Sequence, residues 1–210
     1  VIAPSLNTAS LTSVEFADTA TGSATRQDVE INNTGNASLS IASPDISGEN
    51  KDAFSLITGN RSLRIAPNTA RNISIGFSPQ TAQGGQDGKQ ASLEIQPLND
   101  PEASTQDIII TGTALSADVE LNESTGSFGE ITQGQTEKKS LEVSNDGNTA
   151  FEITGSAITG SDSQAFSVEG LRNRVIGKDT TEVFDIEVNT TGESLDSLSG
   201  QLTIETNDSD

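Results

Sequence analysis

Apolar side chains recur at every second position through much of this chain. Val29 and Ile31 share one face of "QDVEINN" (27–33), Ile73, Ile75 and Phe77 one face of "RNISIGF" (71–77), and Leu93 and Ile95 one face of "ASLEIQP" (91–97). A period of two predicts half-buried β-strands, because successive side chains of a strand point to opposite faces. No segment carries a 3.6-residue period. Between the alternating runs lie Asn-Thr-Gly-Asn (33–36), Ser-Gly-Glu-Asn (47–50), Ala-Pro-Asn-Thr (66–69) and Gln-Gly-Gly-Gln-Asp-Gly (83–88), whose Gly, Asn and Pro residues supply turns. Strands at this spacing, with turn signals between them, predict an all-β sandwich. The run "DIIITGTAL" (107–115) reads as a closing strand, and its three consecutive isoleucines predict burial on both faces.

The pattern is written twice. "INNTGNASLSIASPDISGENKDAFSL" (31–56) is answered 112 positions later, without a gap, by "VSNDGNTAFEITGSAITGSDSQAFSV" (143–168). Phe16, Gly22, Glu30, Asn33, Gly35, Asn36, Ile41, Ile46, Gly48, Ala53, Phe54 and Ser55 recur as Phe128, Gly134, Glu142, Asn145, Gly147, Asn148, Ile153, Ile158, Gly160, Ala165, Phe166 and Ser167. After a one-residue deletion, Ile65, Ile73 and Ile75 match Ile176, Phe184 and Ile186, and later Leu93, Ile95 and Asn99-Asp100 match Leu202, Ile204 and Asn207-Asp208. This is a tandem duplication of one β-domain, residues 1–115 and 116–210. The junction "GTALSADVEL" (112–121) has no Gly/Ser run and is expected to limit domain motion.

Two local expectations follow. Asn-x-Gly-Asn reads as a tight turn whose Gly and Asn take positive φ, and Phe54 and Phe166 read as core plugs rather than an exposed aromatic platform. Nothing in the second repeat answers 107–115, so domain 2 is expected to lack its closing strand and to present an open apolar edge. Either the chain continues past Asp210, or a neighbouring subunit supplies the strand by donor-strand complementation, with "VIAPSL" (1–6) the candidate donor.

These residues resemble the choice-of-anchor D repeats, related to Hydin-like repeats. That pattern appears as Phe16-Ala17 and Phe128-Gly129, Gly22 to Gly35, Ala53-Phe54, Ile65-Ala66-Pro67-Asn68, Ile75-Gly76-Phe77-Ser78-Pro79 and Ile110-Thr111-Gly112-Thr113-Ala114. Domain 1 matches from about residue 11 to 115; domain 2 departs, with Lys178 for Pro67 and Val188-Asn189-Thr190 for Phe77-Ser78-Pro79. The resemblance implies immunoglobulin-like β-sandwiches, strung in extracellular or surface-attached proteins, and carries no catalytic residues.

Thirty-one acidic against eleven basic residues give a formal charge of −20, which repels phosphate backbones and anionic lipid surfaces. Nucleic acid is a poor partner. Repeat 1 carries 12 acids and 6 bases, repeat 2 carries 19 and 5. Such acidity with low lysine resembles proteins of halophilic archaea, since a Debye length of about 3 Å at 1 M salt removes most self-repulsion. Disorder is the competing expectation from charge, but acidic tails lack the apolar alternation seen here. No apolar run approaches the ~20 residues of a membrane span.

Trp, Tyr, Met, Cys and His are all absent. Without His or Cys there is no Ser-His-Asp triad, cysteine nucleophile or zinc finger. A carboxylate pair could hydrolyse glycosides, yet the aromatic platforms such clefts use are missing. No cofactor is expected. Calcium takes only oxygens, and the weak candidates are Asp100, Asp146, Asp162 and Asp208 in Asx-rich turns, none with EF-hand spacing. N-glycosylation sequons fall at Asn32, Asn36, Asn60, Asn72, Asn122, Asn189 and Asn207; Asn60 and Asn122 lie in predicted loops, and Asn72 should point outward from Ile73. The chain therefore reads as a non-enzymatic extracellular structural or adhesive module, a spacer or filament subunit. A ligand-binding accessory module using loop 80–90 is the alternative. The acidity generates a first prediction: the melting temperature rises steeply between about 0.1 and 2 M KCl, and a flat profile in calorimetry removes the halophile argument.

Overall fold

The computed structural model describes residues 2–7, 12–83, 85–123, 125–192 and 197–208. Two compact units emerge, Val1–Ala82 with Gln86–Leu115, and Ser116–Asp210 with the short piece Gln83–Gly85. Among the described residues there is no α-helix, only a single 3-10 turn in each unit, at Lys51–Ala53 and Ser163–Ala165.

Unit 1 contains β1 (Leu6–Asn7), β2 (Ser13–Glu15), β3 (Thr19–Ala20), β4 (Thr25–Asn33), β5 (Leu39–Ile41), β6 (Asp45–Ser47), β7 (Phe54–Thr58), β8 (Leu63–Ile65), β9 (Thr69–Phe77), β10 (Gln86–Ile95) and β11 (Gln106–Leu115). One sheet runs β1-β4-β9-β7 and the other β2-β11-β10-β6, with β3 also on β11 and β5 paired to β8. This is the strand order of an immunoglobulin-like sandwich. The period of two is obeyed on the inner faces, where Val29, Ile31, Ile73, Ile75, Phe77, Leu93 and Ile95 are fully buried. Between β5 and β6 stands Pro44, which lacks an N–H for the ladder and divides the strand.

The isoleucine run of β11 behaves differently from its sequence-based expectation. Ile108 and Ile110 are buried, but Ile109 is 45% exposed. Only one face of this sheet packs on the core, so a central strand still alternates. β11 is no edge either, because β2 and β3 lie along its far side in parallel. The rings of Phe16, Phe54 and Phe77 meet with centroids 4.9 to 5.7 Å apart. A Cβ on Gly112 would come 2.6 Å from the Phe77 ring, so this strand needs glycine there.

Unit 2 contains β12 (Val119–Leu121), β13 (Thr136–Asn145), β14 (Phe151–Thr159), β15 (Phe166–Val168), β16 (Arg174–Ile176), β17 (Thr180–Asn189) and β18 (Gln201–Thr206). Its β12-β13-β17-β15 sheet reproduces β1-β4-β9-β7 strand for strand. Among the described residues the second sheet is β16-β14-β18, with no counterpart of β11. Residues 125–133, the counterpart of β2 and β3, form no strand. In unit 1 those strands pair with β11 alone, and Phe16 N–H donates to the Thr111 carbonyl at 2.8 Å. Remove that partner and the segment has no ladder to join.

One buried asparagine ties each unit together. The Asn33 Oδ1 accepts from the Ser5 and Gly35 N–H groups, both at 3.1 Å, while its Nδ2 donates to the carbonyls of Ala37 at 2.8 Å and Ile65 at 3.1 Å. Asn145 repeats this with Asp118 and Gly147 N–H as donors and Thr149 and Ile176 carbonyls as acceptors. The intervening glycine is needed for space, not for positive φ as the sequence suggested. Gly35 and Gly147 are absent from the left-handed residues. A Cβ on Gly35 would lie 2.4 Å from the Ala3 carbonyl oxygen, and one on Gly147 2.4 Å from the Ala117 carbonyl carbon. Left-handed backbone appears instead at Asn68 and its counterpart Asp179.

The same clasp corrects the candidate donor segment. Asn36 N–H donates to the Ala3 carbonyl at 3.1 Å, Thr34 N–H to the Ser5 carbonyl at 2.9 Å, and Leu6 pairs with Asn33. Ala3, Ser5 and Leu6 are thus hydrogen-bonded within their own unit, leading into β1, and are not a free donor; Val1 lies outside the described residues. Cutting the clasp tests its weight: Asn33→Ala and Asn145→Ala each remove about 2–3 kcal/mol from urea unfolding by orphaning buried backbone groups, whereas Asn32→Ala changes it by less than about 0.5 kcal/mol. Equal effects at all three positions would show that the clasp is not structural.

Candidate functional site

In unit 1, Leu93 and Ile95 of β10 are fully buried beside Ile108 and Ile110 of the adjacent β11. Their counterparts Leu202 and Ile204 on β18 are only half-buried. β18 pairs with β14 on one side, and no strand among the described residues pairs with its other side. A groove of about 1050 Å³ opens there. Phe128, Leu141, Phe166, Ile186, Leu202 and Ile204 line it. An ion pair, Lys139 with Glu123 at 2.6 Å, stands at the groove.

The phenylalanines show what the open groove costs. Phe54 is 6% exposed, as a core plug should be. Phe166 and Phe128 are both half-buried, and their rings are 6.1 Å apart. The core of unit 2 is correspondingly smaller, eight buried apolar residues against sixteen among those described. Sequence reading located the missing strand but assigned Phe166 to a closed core, since nothing at the residue itself signals that a neighbouring strand is absent.

The weak calcium candidates do not come together. Asp100 turns both carboxylate oxygens onto backbone, accepting from Leu6 N–H at 2.8 Å and Glu102 N–H at 3.1 Å. Asp162 accepts from Ser199 N–H at 2.9 Å and the Ser161 hydroxyl at 3.1 Å. Asp146 is exposed, and its N–H donates to the Asp118 carbonyl at 3.0 Å. Asp208 donates its N–H to Thr206 Oγ1 at 3.3 Å, while Ser209 and Asp210 of the same turn lie outside the described residues. Among the described residues no three acidic side chains gather as metal ligands do.

Elsewhere the charges are paired or solvated. Arg26 and Asp28 form an ion pair at 3.0 Å, with the Ser74 hydroxyl donating to Asp28 at 2.6 Å. That hydroxyl and then Arg26 hold the Asp28 carboxyl below its ordinary range. A depressed carboxyl stabilises the fold above its unfolded range, so this contribution fades only as acid protonates it. The Ser74 hydroxyl is buried between the two charges, accepting from Arg26 Nη2 at 2.6 Å while it donates to Asp28. A second depression of about 470 Å³ holds Lys138, Glu169, Arg174 and Glu187, with Lys138 3.5 Å from Glu187.

The sequons separate by environment. Asn60 and Asn72 are exposed, Asn72 pointing outward from β9 beside buried Ile73. Asn36, Asn122, Asn189 and Asn207 each accept a backbone N–H through Oδ1, and Asn32 donates to Glu30. Loop 80–90 is shorter than its sequence suggests, because β10 takes it from Gln86 onward and Ala82 is 1% exposed; Gly84 is outside the described residues.

No protein family model matches the chain, and no curated protein matches it either. Among solved structures, a protein of unknown function from Porphyromonas gingivalis W83 is similar at 16% identity and TM-score 0.38, covering 89% of this chain and 83% of that one. The CupB2 chaperone of Pseudomonas aeruginosa gives 12% identity and TM-score 0.36 over 94% and 96% of the two chains. A PapD-like domain of human CEP192 gives 17% and 0.34 over 54% and 84%. At such identities and scores no neighbour's role passes to this chain.

Proposed function

We propose that this chain is a non-enzymatic structural module, a tandem spacer or filament unit on the extracellular surface of a halophilic archaeon, of the choice-of-anchor D kind. Its working contacts are protein–protein. One observation supports the reading: the two units repeat the residues of core and clasp, so the chain is built as one module used twice. Immunoglobulin-like sandwiches are stiff elements whose two ends suit end-to-end stringing, and β11 is followed by β12 after only Ser116–Asp118. The surface charge fits an acidic, salt-tolerant exterior, and exposed Asn60 and Asn72 are the foremost glycan acceptors.

The accessory-module alternative, recognising polysaccharide or another protein, loses its main support with the shortening of loop 80–90. The groove of unit 2 mixes apolar side chains with polar ones such as Glu123, Gln133 and Lys139, and its aromatic lining is Phe128 and Phe166. Antibodies raised against the chain, used in electron microscopy of intact cells, are expected to label extracellular fibres or stalks at regular intervals. Label confined to the cell interior, or saturable binding of the isolated chain on a glycan array, would overturn the reading.

A further inference from the structure

Among the described residues unit 2 lacks a counterpart of β11 and of the β2 and β3 strands that pair with it, and unit 1 shows how β11 is held. β11 lies antiparallel on β10 with Gln106 opposite Ile95, Ile108 opposite Leu93, Ile110 opposite Ala91 and Gly112 opposite Lys89. Leu93 and Ile95 correspond to Leu202 and Ile204, so Ala91 and Lys89 correspond to Gly200 and Leu198. Transferring the register places an isoleucine-like side chain opposite Leu202 and another opposite Gly200. Both would enter the groove over Phe166, whose ring lies 3.1 Å from a Cβ built on Gly200. The residue between them faces solvent, as Ile109 does. Opposite Leu198 the requirement changes: Gly112 is forced by Phe77, but the counterpart of Phe77 is Val188, which leaves room for alanine.

The exit from β18 repeats the exit from β10. Asn99 Oδ1 accepts from Ser40 N–H at 2.7 Å, and Asn207 Oδ1 accepts from Glu152 N–H at 2.7 Å. In unit 1 this latch starts the path that brings the chain round to β11. A donor from a second copy has less to offer, since every described apolar strand is already paired, Leu6–Asn7 in its own sheet and Ala3 and Ser5 in hydrogen bonds to residues 33–36.

We propose that the groove of unit 2 is a receptor for one extended β11-type strand, carried on the polypeptide that leaves β18 through the Asn207 latch. Its pattern is apolar, outward, apolar, outward, then Gly or Ala. By pairing with β18 it buries Leu202 and Ile204, gives residues 125–133 the partner that β2 and β3 find in β11, and completes the core around Phe128 and Phe166. This step rests on the reading of the chain as a structural array.

The test compares the 210-residue chain with the same chain extended by a copy of residues 103–115. In a third protein the copy carries Ile108→Asp and Ile110→Asp, and in a fourth Gly112→Ala. Hydrogen exchange at Gln201–Thr206 is expected to slow by at least about tenfold in the extended chain. The alanine copy should match it, and the aspartate copy should not. In unit 1 itself, Gly112→Ala should lower the melting temperature. The proposal is overturned if extension leaves β18 exchange unchanged, if the aspartate copy protects equally, or if a free equimolar peptide protects as well as the tethered strand. It is equally overturned if the unextended chain sediments as a dimer with β18 already protected. Labelling of surface fibres would be unaffected by any of these failures, so the two readings fall separately.

Discussion

A sheet that covers a core on one face needs every strand of that face, because each strand delivers alternate side chains to the interior and closes its neighbour's backbone. The pairing of β10 with β11 meets this need in unit 1 over ten residues, from Gln86 opposite Leu115 to Ile95 opposite Gln106. It buries Leu93, Ile95, Ile108 and Ile110 together, gives β2 and β3 a ladder, and requires Gly112 under Phe77. Burial of a side chain the size of isoleucine or leucine contributes about 1.5–3 kcal/mol, so a missing strand withdraws several such terms at once. Unit 2 shows the consequence in its half-exposed Phe166, Leu202 and Ile204.

The asparagine clasp explains how two copies of the outer sheet remain alike despite that difference. Asn33 and Asn145 are buried polar groups, and a buried amide is stable only when its hydrogen bonds are made. Each joins the incoming first strand, the turn after the long strand and the end of a neighbouring strand, at matching distances. Asn145 pairs opposite Thr180 at the start of β17, whereas Leu202 pairs opposite Ile158 near the end of β14, and β12-β13-β17-β15 keeps the order of β1-β4-β9-β7.

Much of the fold was legible. Alternation in 27–33, 71–77 and 91–97 gave strands that the structure contains, and the duplicated Phe, Gly and Asn positions gave two related domains. Three readings changed for physical reasons. "III" in 107–115 implied two covered faces, yet composition cannot tell a central strand of a half-exposed sheet from a fully sandwiched one; Ile109 faces out. Asn-x-Gly implied a left-handed turn, but the glycine serves the close approach of Ala3 and Ala117, contacts separated by some thirty residues in sequence. "VIAPSL" looked unassigned because a two-residue strand, Leu6–Asn7, has no periodicity to read. The open edge of the second repeat was visible only by comparing the copies, while its depth and lining required coordinates.

What unites these features is one sandwich plan carried by two units whose cores differ in size among the described residues. Calorimetry of the 210-residue chain in high salt tests this directly, because separate cores of unequal size unfold separately. Two transitions are predicted, with Asn145→Ala shifting only the lower and Asn33→Ala only the upper. A single transition moved equally by both substitutions, or a lower transition belonging to unit 1, would contradict the account.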